Sequence, residues 1–210
     1  MALGANGTGK TTLVGALLAS FPRWVALDLK GDFEPPANYV VTRKQGTWDW
    51  KHADRLIYRP VPEDRNRKSM EAALKYWYDR ASRTMRKVNG KMVQTRPFII
   101  YIDEGLYLSR MRAVEMLAAL AVSGRSLKIG LWVSSQRPAW IPVEVRSEAW
   151  RIFVFTLGEE EDDKEVIALS KRRITLNDLA EIPPYWFYEI KKRGEGGRVE
   201  VRLMPPLAAD

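Results

Sequence analysis

The stretch "GANGTGKTT", residues 4–12, decides how this chain is read. Gly4, Gly9, Lys10 and Thr11 satisfy G-x-x-x-x-G-K-[ST] in full, and Gly7 adds a flexible position inside the loop. Such backbone, placed at the start of a helix, turns its N–H groups toward phosphate oxygens, and the helix dipole favours the same anion. In that geometry Lys10 reaches the β- and γ-phosphates and the Thr11 hydroxyl meets Mg²⁺, while Asn6, Gly7, Thr8 and Thr12 complete the nucleotide-contacting loop. The expected ligands are ATP and Mg²⁺. Only Met1, Ala2 and Leu3 precede the loop, which ordinarily follows a buried strand. That strand is therefore very short, begins upstream of Met1, or is replaced by another part of the chain.

Outward from the loop, apolar runs of strand length occur at "WVALDL" (24–29), "LIYR" (56–59), "FIIYID" (98–103), "IGLWVSS" (129–135) and "RIFVFTL" (151–157). Continuous apolar strands belong to a sheet covered on both faces. Helical patterns lie between them at "KTTLVGALLAS", at 111–123 and at "DDKEVIALS", so strand and helix alternate as in a parallel α/β sheet. A longer amphipathic helix is expected over 68–88, with Met70, Ala73, Leu74, Trp77, Ala81, Met85 and Val88 on its apolar stripe. The end of the chain, "PPYWFYEIKKRGEGGRVEVRL", reads as two β segments joined by a glycine turn. The fold class is α/β: a mostly parallel central sheet flanked by helices, with a C-terminal β-hairpin. One domain is expected over residues 1–210, with a basic helical insertion at about 59–96.

Composition narrows the function classes. At 210 residues, 46% hydrophobic and 29% charged, the chain can bury a substantial core. No stretch reaches the roughly 18 apolar residues of a membrane span, and no export signal is visible, so a soluble intracellular protein is expected. Cysteine is absent and His52 is the single histidine, which leaves oxygen ligands for any metal. Residues 43–96 hold 15 Lys/Arg against 6 Asp/Glu, or +9, leaving 19 against 20, or −1, elsewhere. A basic segment of this kind suits a polyanion, nucleic acid first, or a solvated helix face.

"FIIYIDE" delivers Asp103 and Glu104 to the sheet edge at which a phosphate loop sits. Asp103 there joins the Mg²⁺ shell, and Glu104 orients and deprotonates an attacking water, which points to hydrolysis. A helix N-cap followed by an early-turn acid would use the same residues. "IGLWVSSQRP" ends in Ser134, Ser135 and Gln136, polar groups able to touch a γ-phosphate or merely to end the strand. Trp48 and Trp50 in "GTWDW" suit base stacking or the covering of a core.

Together, "GANGTGKTT", "LDLKGDF", "YIDE" and "GRSLKIGLWVSSQRP" resemble the FtsK/HerA superfamily of DNA-translocating P-loop ATPases from Gly4 to about Ser170. The compact core is most similar to the genome-packaging ATPases of tailless, internal-membrane icosahedral viruses. The resemblance implies a RecA/ASCE-like P-loop NTPase fold and an ATP-hydrolysing motor that moves double-stranded DNA into a preformed capsid. It assigns Arg125 as an arginine finger inserted into a neighbour's site, hence a homo-oligomeric ring, a hexamer; read from the residues alone, Arg125 is preferably a helix C-terminal cap beside Gly124. It also makes Gln136 a sensor, with Glu104, Arg125 and Gln136 forming the catalytic set. Arg151 is a further phosphate contact or a plain strand-start cation, and Asp28 and Asp32 either line the site or shape the "KGD" turn. Candidate DNA contacts are Arg80, Arg83, Arg86, Lys87 and Lys91, the run 86–96 reading as an exposed loop. Further expectations are capsid vertex proteins as partners and a place in the host cytoplasm or at the packaging vertex of the virion. Alternatives are a secretion or assembly ATPase of the same superfamily moving protein at a membrane, and a small P-loop nucleotide kinase.

Overall fold

A computed structural model describes residues 1–46, 53–94, 97–192 and 198–207. Trp48, Trp50 and His52 lie outside the described residues. In chain order the elements are β1 (Ala2–Leu3), α1 (Lys10–Ala19), β2 (Trp24–Asp28), β3 (Val40–Thr42), β4 (Arg55–Tyr58), α2 (Arg67–Arg83), β5 (Met85–Val88), β6 (Lys91–Gln94), β7 (Phe98–Asp103), α3 (Gly105–Arg110), α4 (Glu115–Ser123), β8 (Ile129–Ser135), α5 (Val143–Glu148), β9 (Arg151–Val154), α6 (Glu160–Leu169), α7 (Leu176–Ala180), β10 (Phe187–Lys191) and β11 (Glu200–Met204).

Nine strands form one sheet among the described residues, in the order β11-β10-β9-β1-β8-β7-β2-β4-β3. The seven strands from β9 to β3 pair in parallel, and β10 and β11 close one edge as an antiparallel hairpin. The α/β expectation and the C-terminal hairpin both hold. The central strands read as unbroken apolar runs because helices cover both faces: β2 and β7 are buried along their whole length. The strand in doubt before the phosphate loop exists. β1 is two residues long, and pairing on both sides, Leu3 with Ser135 and with Val154, makes so short a strand central.

Three local expectations need correction. Helix α2 ends at Arg83, and Met85 and Val88, placed on its stripe by periodicity, belong instead to the β5–β6 hairpin. The run 86–96, read as a loop, is largely this hairpin. Its turn is Asn89-Gly90, both with positive φ (49° and 80°), as a two-residue hairpin of right-handed twist requires. The helix expected over 111–123 begins only at Glu115, and a separate α3 precedes it. Arg112 takes a positive φ of 55° between them, and the Glu71 carboxylate of α2 accepts hydrogen bonds from the Glu115 and Met116 N–H groups at 3.0 Å each. The start of α4 is thus satisfied by a side chain more than 40 residues away, which local periodicity cannot reveal.

Candidate phosphate-binding site

Strand register assembles the site. Leu3 is level with Ser135 and Val154, and Asp28 with Asp103, so the C-terminal ends of β1, β8, β7 and β2 share one sheet edge. Because β8 lies between β1 and β7, the residue after β8 stands between the loop after β1 and the acids after β7.

The loop is held tightly. The Gly4 N–H donates to the Ser135 carbonyl at 3.2 Å and the Ala5 N–H to the Thr156 carbonyl at 2.8 Å. A Cβ on Gly4 would come within 2.7 Å of the Phe155 Cβ, so the position excludes any side chain. Gly9 leads into α1 at a φ of 101°, another backbone state that glycine adopts without strain. Lys10 is buried, and its Nζ donates to the Ala5 carbonyl at 2.7 Å, an oxygen shared with the Thr8 hydroxyl. Burial lowers the Lys10 pKa to about 8; Lys30 pushes the same way, against Glu104 and Asp103. A cavity of about 420 Å³ opens onto Asn6 through Leu13, Lys30 and Asp32. That volume lies in the range of small-molecule sites.

Glu104 caps α3 from a left-handed conformation, φ 64°, and is almost wholly buried. Its Oε1 accepts from the Gln136 N–H at 3.0 Å and the Ser135 hydroxyl at 3.3 Å. Its Oε2 accepts from Gln136 Nε2 at 2.9 Å and faces Lys30 Nζ at 3.3 Å. Gln136 Nε2 and Lys30 Nζ also reach Asn6 Oδ1, at 2.8 and 3.4 Å. One network therefore joins Asn6, Lys30, Glu104 and Gln136, three of them named from sequence. Lys30 is the member that motif reading misses. The signal for it is a lysine between two aspartates at a strand end, in "LDLKGDF".

Asp103 is buried too, and Oδ1 accepts from the Tyr101 hydroxyl at 2.7 Å and the Ser134 hydroxyl at 2.9 Å. Oδ2 is buried and has no hydrogen-bond partner. Burial raises the Asp103 pKa from its ordinary value and Asp28 adds to it, while the two hydroxyl bonds and Lys30 oppose the rise. Carboxylate oxygens of Asp28, Asp32 and Asp103 lie within 4.8 Å of one another. An orphaned buried carboxylate oxygen beside further hard oxygen donors fits a magnesium-like cation. Asp28 has structural work as well: it pairs with Arg59 Nε at 2.7 Å and accepts from the Gly31 and Phe33 N–H groups, which shapes the "KGD" turn.

Other named residues lie apart. Arg125 is exposed, just after α4 and ahead of β8, at the sheet edge opposite the phosphate loop. Arg151 begins β9 at that same far edge and pairs with Glu189. Arg137 of "QRP" is engaged by Asp162 and Glu161. Arg83, Arg86, Lys87 and Lys91 are exposed, whereas Arg80 is half-buried.

No protein-family model matches the chain. By sequence it is 29% identical over 171 residues to the DNA packaging ATPase P9 of Enterobacteria phage PRD1, covering 79% of this chain and 67% of P9. By structure it superposes with a TM-score of 0.74 on the genome packaging NTPase B204 of Sulfolobus turreted icosahedral virus 2, solved with AMPPCP, at 13% identity over 99% of this chain and 97% of the other. EssC of Geobacillus thermodenitrificans, ATPases 2 and 3, shares the fold at a TM-score of 0.63 and 14% identity, covering all of this chain and 40% of EssC. In sequence, then, the chain is similar to a phage DNA packaging ATPase, and in fold to a viral genome packaging NTPase.

Proposed function

We propose that this chain is an ATPase that drives double-stranded DNA into a viral capsid, working as one P-loop domain over residues 1–210 in a homo-oligomeric ring, most simply a hexamer. The observation that carries the reading is the convergence of Lys10, Glu104 and Gln136 on one sheet edge beside a cavity lined by the phosphate loop. Lys10 leaves the Ala5 carbonyl to bind the triphosphate, and its charge is favoured once the anion arrives. Glu104 is the base that orients the attacking water, with Gln136 able to report on the γ-phosphate through its bonds to Glu104 and Asn6. Thr11 and Asp103 would hold Mg²⁺, with Asp28 and Asp32 nearby; the ion supplies charge neutralisation on the phosphate oxygens. DNA phosphates meet the exposed cations of α2 and the β5–β6 hairpin, and capsid vertex proteins dock the ring at the packaging vertex in the host cytoplasm.

The similarity to the PRD1 protein favours DNA as cargo. A shared fold with the type VII secretion ATPase EccC of Thermomonospora curvata keeps protein movement at a membrane as a second reading, although among the described residues no helix is long and apolar enough to cross a membrane. ATP hydrolysis measured with and without duplex DNA, for the wild type, Lys10→Ala and Glu104→Gln, tests the proposal. We expect DNA to raise turnover at low salt, Lys10→Ala to lose nucleotide binding, and Glu104→Gln to bind without turning over. Hydrolysis indifferent to duplex DNA at low salt would favour protein as cargo.

A further inference from the structure

The cavity beside the phosphate loop continues onto an apolar wall that phosphate binding does not use. Phe155, Tyr185, Phe187, Pro206 and Leu207 line it. Phe155 and Tyr185 stand directly over the start of α1: a Cβ on Gly9 would meet Phe155 Cε1 at 3.5 Å and Tyr185 Cδ1 at 3.6 Å. Phe155 and Phe187 are buried with ring centroids 5.1 Å apart, so they form a firm floor. Tyr185 by contrast is 60% exposed. The hairpin register pairs Phe187 with Met204, and just beyond that pair Tyr185 on one side and Pro206 and Leu207 on the other line the same cavity.

Tyr185 also sits where tyrosine is disfavoured. The Trp186 N–H donates to the Pro183 carbonyl at 3.0 Å, closing a turn with Pro184 second and Tyr185 third. Tyr185 has a φ of 67°. A proline-led turn with positive φ at its third residue ordinarily carries glycine there. An exposed aromatic ring held in that strained position, against a ligand cavity, packs no core that would account for it.

We propose that this wall is the nucleobase cleft and that Tyr185 is its stacking platform, so that the site accepts nucleoside triphosphates with little regard to the base. The inference rests on the nucleotide-binding reading above. Stacking on an aromatic face tolerates every base, and among the five wall residues Tyr185 alone carries a polar side-chain atom with which to read base edges. Selectivity between ATP and GTP needs such readers. The triphosphate is gripped by the loop and the base by the wall, so the two ends separate experimentally.

Titration calorimetry on the full chain with ATP, GTP, CTP and inorganic tripolyphosphate tests this, using wild type, Tyr185→Ala and Tyr185→Phe. The three nucleotides should bind within about tenfold of one another. Tyr185→Ala should weaken all three by about fivefold or more and leave tripolyphosphate unchanged, while Tyr185→Phe keeps wild-type affinity. An unaltered melting temperature excludes misfolding as the cause. Wild-type ATP binding no tighter than tripolyphosphate, unchanged ATP affinity in Tyr185→Ala, or an ATP preference beyond about a hundredfold would overturn the cleft while leaving the phosphate loop standing. Failure of the wild type to bind tripolyphosphate and ATP alike would overturn the phosphate-loop reading and the cleft with it.

Discussion

Lys10 and Asp103 are opposite charges that the nucleotide-free fold holds at a cost. Lys10 is buried, with its pKa lowered to about 8 from 10.5. Between those values the unfolded chain carries the proton and the folded chain does not, so stability rises with pH across the window and the penalty is full below it. At about 1.4 kcal/mol per unit, this amounts to about 3 kcal/mol over the whole window. Thermal melts from pH 8 to 10 should show the wild type gaining stability relative to Lys10→Met; parallel curves would refute the assignment. Triphosphate binding reverses the preference, and calorimetry at pH 9 in buffers of different ionisation enthalpy should detect proton uptake that Lys10→Met lacks. Burial also raises the Asp103 pKa, a cost on its charged form that the Tyr101 and Ser134 hydroxyl bonds and Lys30 offset only in part. Asp103→Asn should therefore leave the nucleotide-free protein at least as stable by thermal melt while abolishing Mg²⁺-dependent hydrolysis, a division expected where stability is given up for function. A clear loss of stability would show that the carboxylate serves the fold instead.

Helix α3 and the β5–β6 hairpin show how elements aim these groups. Gly105, the first residue of α3, lies against β8 so closely that a Cβ would come within 2.8 Å of the buried Val133 Cγ1. Gly105→Ala must push α3 off the sheet, and Glu104 is the residue beside it. We expect a stability loss of about 1–3 kcal/mol, a fall in turnover larger than any change in nucleotide affinity, and partial repair when Val133→Ala is added, read as a coupling term in a double-mutant cycle. Strict additivity would mean that this close approach does not matter. For the hairpin, removing Arg86, Lys87 and Lys91 together should flatten the log–log salt dependence of duplex affinity by about 0.9 for each phosphate no longer neutralised. An unchanged slope would move the DNA surface elsewhere. At this scale the sequence was legible where period and composition agree: β7 and β8 have the expected limits because their apolar runs end in polar residues at the sheet edge. It misled where a dipeptide outweighs a period. Asn89-Gly90 marks a hairpin, but Met85 and Val88 happened to extend the helical spacing of α2. The Lys30–Glu104 pair was hidden because it joins residues 74 positions apart, which register alone brings together.

Across the whole molecule, Arg125 and the phosphate loop occupy opposite edges of the sheet. Seven residues of β8 separate Gln136 from the turn that carries Arg125, about 20 Å of extended strand. Arg125 is therefore remote from the nucleotide cavity of its own chain, and if it stabilises transition-state charge it does so in a neighbour's site. A heterologous, head-to-tail interface of that kind closes into a ring when the rotation between neighbours permits and runs on as a filament when it does not. Arg125→Ala should lose turnover by a factor of about 10³ while binding nucleotide normally. Glu104→Gln should be equally inactive. Mixed in equal amounts and reassembled, the two should regain activity, because an intact Glu104 from an Arg125→Ala protomer can face an intact Arg125 from a Glu104→Gln protomer. Random mixing makes about one interface in four complete, which sets the ceiling near a quarter of wild-type turnover. Ring assembly of each variant, followed by light scattering, keeps lost assembly from passing as lost catalysis. If assembled mixed rings stay silent, Arg125 is no finger in trans and serves the end of α4, where Gly124 already terminates the helix.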